Sequence, residues 1–184
     1  MKSRQTVILS GPSGVGKDTV LDAWTLRNPR IERVVASTTR APREGELDGV
    51  DYTFLSEGAF LGRVDEGLFL EYKKVHSSYY GTPRSSVDAI LDKGKIAILK
   101  IDVQGALSVM ENMPEVISIF LLPPSFEELE RRIRSRATEN EEKILERLAN
   151  ARLEIEQSVH YQHRVVNSII EDTVDELESI LEKS

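Results

Sequence analysis

The stretch GPSGVGKDT, Gly11 to Thr19, has the residue types and spacing to hold phosphate. Gly11, Gly14 and Gly16 let the backbone come close to an anion and accept positive φ. A loop of this kind between a strand and a helix turns several N–H groups toward one point, and the helix N-terminus adds partial positive charge. Lys17 can then reach the β- and γ-phosphates of a nucleotide. The form G-x-x-x-x-G-K-[ST] ends on a hydroxyl, which ligates the Mg²⁺ that accompanies the nucleotide. Asp18 stands in that place. Either the match is accidental and the segment is a glycine-rich turn, or the site is rebuilt around a carboxylate.

Two further segments concentrate polar chemistry. Ser37 to Thr82 is rich in Arg, Gly, Tyr and charge and reads as an inserted lobe. Ser125 to about Asn150 is almost wholly polar, with Arg131, Arg132, Arg134, Arg136 and Arg147 among many glutamates. By itself it reads as a solvated helical hairpin laced with i,i+4 ion pairs, each contributing about a few tenths of a kcal/mol. His76, His160 and His163 form no compact ligand pattern, and His160 and His163 are expected one turn apart on an exposed helix end.

Elements of regular structure must position these groups. Thr6 to Leu9 is a short aliphatic and β-branched run, and helical spacing from Lys17 continues until Asn28-Pro29. The order strand, glycine loop, helix favours nucleotide binding over a plain turn. Buried-strand runs recur at Val34-Val35, Ile96 to Ile101, Val116 to Leu122 and Val165-Val166. Helical stretches at Ser85 to Leu91, Gln104 to Met113 and Phe126 to Arg136 separate most of them, and a final amphipathic helix is expected to be capped near Asp172, with Val174, Leu177 and Leu181 on the core. Strands alternating with helices imply a parallel sheet covered on both faces.

Composition bounds the function. At 184 residues, 40% hydrophobic and 30% charged, the chain can build one globular domain. It has no cysteine, so no disulfide framework or thiolate metal site forms, and no apolar run has the length of a membrane span, which leads to an expectation of cytoplasmic residence. A net charge of -7 argues against a sequence-independent nucleic-acid binder. A small phosphorylated ligand needs only a local cluster of cations and N–H groups.

The stretch STTRAPREGELDGVDYTFL, Ser37 to Leu55, completes the spacing T-T-R-x-x-R-x-x-E-x-x-G-x-x-Y-x-F. Taken with GPSGVGKD, EYKKVHSSYYGT (Glu71 to Thr82) and KIDVQGA (Lys100 to Ala106), it resembles guanylate kinase along nearly the whole chain. The resemblance implies an α/β P-loop nucleoside monophosphate kinase fold, with a parallel sheet flanked by helices, and transfer of the γ-phosphoryl group of ATP to GMP with Mg²⁺. Residues 1-184 are expected to form one domain: a core of 1-35, 83-124 and 151-184, a GMP-binding lobe of 36-82 and a helical lid of 125-150. ATP is assigned to Gly11, Pro12, Ser13, Gly14, Val15, Gly16, Lys17, Asp18, Thr19 and Asn167. GMP is assigned to Ser37, Arg40, Arg43, Tyr52, Glu71, Tyr80, Thr82 and Asp102. Lys17, Arg132, Arg136 and Arg147 are implied to act on the transferring phosphoryl group, while Arg131 and Arg134 stay on the solvated face.

The residue chemistry agrees with that assignment. Arg40 and Arg43 can clamp a monophosphate bidentately, with Tyr52 and Tyr80 adding hydroxyl donors. Glu71 offers two acceptor oxygens to the N1–H and 2-amino donors of guanine, and Thr82 can donate to O6. Adenine would set an acceptor against the Glu71 carboxylate. Asp102 either positions substrate or caps the helix that begins near Gln104.

Three positions depart from the family's usual pattern: Asp18 replaces the hydroxyl, Ala36 stands where a serine commonly serves the GMP phosphate, and Lys100 replaces an acid. An acid gained at 18 and lost at 100 leaves the local charge nearly unchanged. Asp18 is expected to ligate Mg²⁺ directly or through water, and the rival expectation is an Asp18–Lys100 ion pair. Two other functions compete: a ribose 1,5-bisphosphate kinase, which has no use for Glu71 and Thr82, and a non-catalytic interaction module, which would not need Lys17, Arg40, Arg43 and Arg147 together. Monomer and homodimer are equally open.

Overall fold

A computed structural model describes residues 5–136 and 140–184. Its centre is a parallel sheet of β1 (Thr6–Ser10), β2 (Ile31–Arg33), β7 (Ile96–Lys100), β8 (Ile117–Leu122) and β9 (His163–Val166), in the order β2-β7-β1-β8-β9. Because side chains alternate along a strand, the sheet has two apolar faces. Val7, Leu9, Ile119 and Leu121 point to one face, packed by Val20, Leu21 and Trp24 of α1 (Lys17–Arg27) and by Val174, Leu177 and Leu181 of α7 (Ile170–Lys183). Ile8, Leu99 and Phe120 point to the other, packed by Val87 and Ile90 of α3 (Arg84–Asp92) and by Val103, Ala106 and Val109 of α4 (Val103–Asn112). Both faces are therefore covered, as the near-continuous apolar strands require.

Between β2 and α3 the chain forms the second lobe. Its mixed sheet runs β4-β3-β6-β5, with β3 (Ser37–Thr38), β4 (Thr53–Phe54), β5 (Phe69–Val75) and β6 (Ser78–Pro83), and α2 (Glu57–Asp65) stacks Phe60 on Phe69. The remaining helices, α5 (Phe126–Arg136) and α6 (Glu141–Glu156), make the hairpin over the phosphate loop.

Four sequence expectations are corrected. The strand expected at Val34-Val35 starts three residues earlier and spans Ile31–Arg33, with Val34 adding one more bond from its N–H to the Ile98 carbonyl at 2.9 Å. As an edge strand it carries Glu32, which pairs with Lys93 and Lys95, so polar residues hid it. His163 lies in β9 rather than on a helix end. Helix α7 starts at Ile170 without a side-chain cap, leaving Asp172 in its first turn. The hairpin also has a core of its own, Leu129, Ile133, Ile144, Leu148 and Ala151, and α6 continues past 150 to Glu156. Its exposed arginines do make the expected local ion pairs, Arg131 with Glu128 and Arg134 with Glu130.

Candidate active site

The phosphate loop leaves the carboxyl edge of β1, where open parallel sheets bind ligands. Gly16, at φ 100°, is the N-cap of α1, and no side chain caps that end. The first N–H groups of the helix are therefore left to an anion. An added Cβ at Gly16 would come within 2.8 Å of the Asn167 side-chain amide. That amide donates to the Val15 carbonyl at 2.7 Å, its oxygen accepts from Thr173 at 3.2 Å, and the Asn167 N–H is bonded to the Leu122 carbonyl at 2.8 Å. Asn167 thus ties the loop to β8 and α7.

Lys17 folds over the loop, donating to the carbonyls of Gly11 and of Pro12, the latter at 3.1 Å. Burial pushes its ammonium down to about 8, with Lys100 adding to the fall and Glu154 and Asp18 opposing it. The cavity at the loop, about 270 Å³, is lined by Ser13, Gly14, Gly16, Lys17, Asp18 and Thr19 and roofed by Arg132, Ile133 and Arg147. Arg132 donates to the Val15 carbonyl at 3.2 Å while Glu128 holds it at 2.8 Å, and Arg147 donates to the Ser13 hydroxyl at 3.1 Å. One arginine from each hairpin helix therefore touches the loop. The side chain of Arg136 lies outside the described residues.

A second cavity of about 290 Å³ opens between the lobe and the core, lined in part by Ala36, Tyr52, Glu71, Lys73, Tyr80, Thr82, Lys100 and Asp102. Glu71 and Thr82 are cross-strand partners on β5 and β6. The Thr82 hydroxyl donates to Glu71 Oε1 at 2.6 Å. A hydroxyl has one proton to give, so in this geometry Thr82 orients the carboxylate rather than reaching O6 of a base. Burial raises the Glu71 carboxyl above the usual range, although Thr82 and Lys73 pull the other way.

Arg40 is clamped bidentately by Glu46 at 2.8 and 3.0 Å, and its guanidinium lies 5.6 Å from the centre of the Tyr52 ring. Tyr80 meets Tyr52 edge-on with ring centres 6.1 Å apart. Arg43 is exposed outside the cavity and contributes its backbone N–H to Glu46 at 2.7 Å. Ser37 is fully buried with its hydroxyl unpartnered, and the cavity wall carries Ala36 in its place. Asp102 caps α4, accepting from Gly105 N–H at 3.0 Å, and also pairs with Lys73. The helix cap and the wall of the cavity are thus the same residue.

Sequence reasoning passed over three residues that sit at the site. Glu154 of α6 accepts from the Ser13 N–H at 3.3 Å, and the run of similar polar letters around it gave no signal. Arg33, at the end of β2, adds its charge beside Asp18 and Tyr52. Gly105 has a readable signal, because glycine inside a helix is about 1 kcal/mol worse than alanine and needs a reason. A Cβ at 105 would meet Glu71 Oε2 at 2.9 Å and Cδ at 3.2 Å. Gly105→Ala is therefore expected to displace the Glu71 carboxylate, raising KM for GMP roughly tenfold with kcat little changed, since sub-ångström misplacement is felt at such sites. Stability should hold or rise, because alanine favours the helix. Steady-state kinetics together with a melting curve check both halves.

Asp18 and Lys100 form an ion pair where the two cavities meet, the first lining the phosphate cavity and the second the other. Burial works to raise the Asp18 carboxyl, but Lys100, with Arg33 and Lys17 nearby, outweighs it and holds the group below the ordinary Asp range. A larger cleft, about 800 Å³ between the β5–β6 hairpin, α4 and α6, contains neither the loop nor Glu71.

A cation-rich cavity at the loop, joined at one seam to a second cavity lined by both acids and lysines, suits the passage of a phosphoryl group from a donor to an acceptor, and with this sheet and loop the two define a P-loop phosphotransferase. Comparison with known proteins narrows the class. The family model described as guanylate kinase matches residues 3–184. The chain is 49% identical over 181 residues to the guanylate kinase of Clostridium tetani, covering 98% of this chain and 86% of that one. It is 44% identical over 178 residues to that of Prochlorococcus marinus, covering 97% of each. The crystal structure of guanylate kinase from Anaplasma phagocytophilum superposes with a TM-score of 0.77 at 36% identity, covering 100% of this chain and 87% of that one. The chain belongs to the guanylate kinase family, the ATP:GMP phosphotransferases.

Proposed function

We propose that this chain carries the γ-phosphoryl group of ATP to GMP at the seam between the two cavities, with ATP phosphates on the Gly11–Thr19 loop and GMP against Arg40, Tyr52, Tyr80 and Glu71. The observation that carries the residue assignment is the Glu71–Thr82 pair, which closes one end of a cavity whose other end reaches Asp18 through Lys100. An oxygen of the GMP phosphate attacks Pγ, the bond from Pγ to the β-phosphate oxygen breaks, and the electron pair stays on ADP. The acceptor is already ionised, so no general base is required. Catalysis then rests on position and on cations around the equatorial oxygens. Lys17 follows the β- and γ-phosphates, Arg132 and Arg147 close from the hairpin, and Arg136 is assigned with them by resemblance. Thr82 holds Glu71, Asp102 holds the end of α4 and Lys73, and Arg43 swings in from the lobe surface.

Mg²⁺ accompanies ATP in this reading. Such an ion takes most of its oxygens from phosphates and water. Asp18 fits as the protein's contribution: Lys100 bonds its Oδ1, and Oδ2 is the oxygen it offers the ion, directly or through water. The ion would neutralise charge on the ATP phosphates during transfer. No helix among the described residues is long and apolar enough to cross a membrane. A coupled assay with ATP and GMP, AMP or ribose 1,5-bisphosphate, run across a Mg²⁺ titration, tests the proposal. Turnover is expected with GMP and to depend on Mg²⁺; preference for another acceptor, or none with GMP, would overturn it.

A further inference from the structure

Lys100 is the most unusual cation of the site. It ends β7, the neighbour of β1 in the sheet, at the carboxyl edge where ligands are met. Its side chain is 17% exposed while that of its partner Asp18 is 71% exposed. An ion pair that open to solvent contributes only about 0 to 1 kcal/mol to folding, which is a poor reason to place a lysine in this wall. The surroundings are already cationic, because Lys17 and Arg33 also bear on Asp18. Lys17, Lys100 and Arg33 meet there against Asp18, with Glu154 acting on Lys17, so the cations at the seam outnumber the carboxylates that answer them and a bound phosphate would add counter-charge.

We propose that Lys100 is a substrate-contacting cation of the transfer reaction: tethered by Asp18 at the seam, its ammonium binds the phosphate of GMP and neutralises charge on the phosphoryl group as it crosses to the acceptor. The inference rests on the placement of GMP given above and assigns Lys100 a part that placement lacks. Lys100 forms and breaks no covalent bond. The bond from the GMP oxygen to Pγ forms, the bond from Pγ to the β-phosphate oxygen breaks, and the lysine keeps its proton throughout. Asp18 is its positioning residue, so the acid gained at 18 and the base gained at 100 are one device rather than two substitutions. The fixed charge is present before any metal arrives.

The test is GMP binding by calorimetry without Mg²⁺, alongside steady-state kinetics, on Lys100→Met, Lys100→Arg and Glu71→Gln. Lys100→Met is expected to weaken GMP about tenfold or more, the effect of losing a hydrogen bond to a charged group. Its kcat should fall about 100-fold, in the range of losing one transition-state donor, with KM for ATP nearly unchanged. Lys100→Arg should recover most of both. If Lys100→Met binds GMP like the parent while Glu71→Gln does not, the inference about Lys100 falls and the GMP cavity stands. If neither variant changes GMP binding, the cavity assignment itself fails and the inference with it. The unsubstituted protein gives a check that needs no Met variant to fold: the Lys100 Cε–Hε NMR signal, assigned through Lys100→Arg, should shift on addition of GMP and not of guanosine. An identical response to both, or no shift, overturns the proposal.

Discussion

Replacing Glu71 by glutamine is expected to lower kcat/KM for GMP by about 10²- to 10³-fold and to shrink the preference for GMP over AMP by a similar factor. Guanine presents two donors to a carboxylate that has acceptors only. The amide keeps one acceptor but sets an NH₂ against the second donor. It also removes the charge from the bond that remains, so the loss is about 3 to 4 kcal/mol from hydrogen bonding. Folding should not suffer. The Thr82 hydroxyl can still donate to the amide oxygen as it does to Glu71 Oε1. Burial raises the Glu71 carboxyl in the folded protein, so ionised Glu71 is a stability penalty that grows as pH rises through its unfolded value, and the neutral amide removes it. Kinetics with GMP and AMP, read beside a melting temperature that holds or rises at neutral pH, check the prediction. Unchanged discrimination would remove Glu71 from the base-reading role.

Lys17→Met is expected to lower kcat about 10²- to 10³-fold, because a preorganised cation at the transferring phosphate is lost. The parent protein also carries a proton signature. Burial brings the Lys17 ammonium down to about 8. Between that value and the ordinary lysine range, the unfolded chain holds a proton that the folded chain lacks. Stability of the nucleotide-free protein therefore gains from this group as pH rises through that window. Polyphosphate at the loop favours the ammonium and restores its proton. ATP binding near pH 8.5 should take up roughly half a proton or more, seen as a dependence of the calorimetric enthalpy on buffer ionisation. The uptake should vanish near pH 6.5, where the lysine is already charged, and at both values in Lys17→Met. Uptake that persisted in the variant would assign the proton elsewhere.

Much of the architecture was legible because buried parallel strands leave apolar runs and glycine loops leave spacing. IAILKI and VISIFLL mark β7 and β8 nearly to the residue. β2 was misplaced because an edge strand may carry charge, and its charges are answered by Lys93 and Lys95, distant in sequence. The hairpin looked wholly solvated since its apolar positions, Leu129, Ile133, Ile144 and Leu148, are diluted among Glu and Arg and meet only when two helices fold together. The site residues were named through resemblance and residue chemistry. The bonds of Thr82 to Glu71 and of Asn167 to Val15 join residues on different segments of the chain, and no spacing in the sequence announces them.

The sequence by itself determined the phosphate loop, the alternation of strands and helices, and the set of residue types from which a two-nucleotide site is made, because these are local in the chain and follow from side-chain chemistry and backbone sterics. Tertiary structure alone decided which charges meet. Asp18 and Lys100 are 82 residues apart, Glu71 lies against Gly105 from another lobe, and Glu154 reaches Ser13 across 141 residues. Such pairs leave no spacing in the sequence, since the distance between them is set by how β7 lies beside β1 and how the lobe and the hairpin close over the sheet.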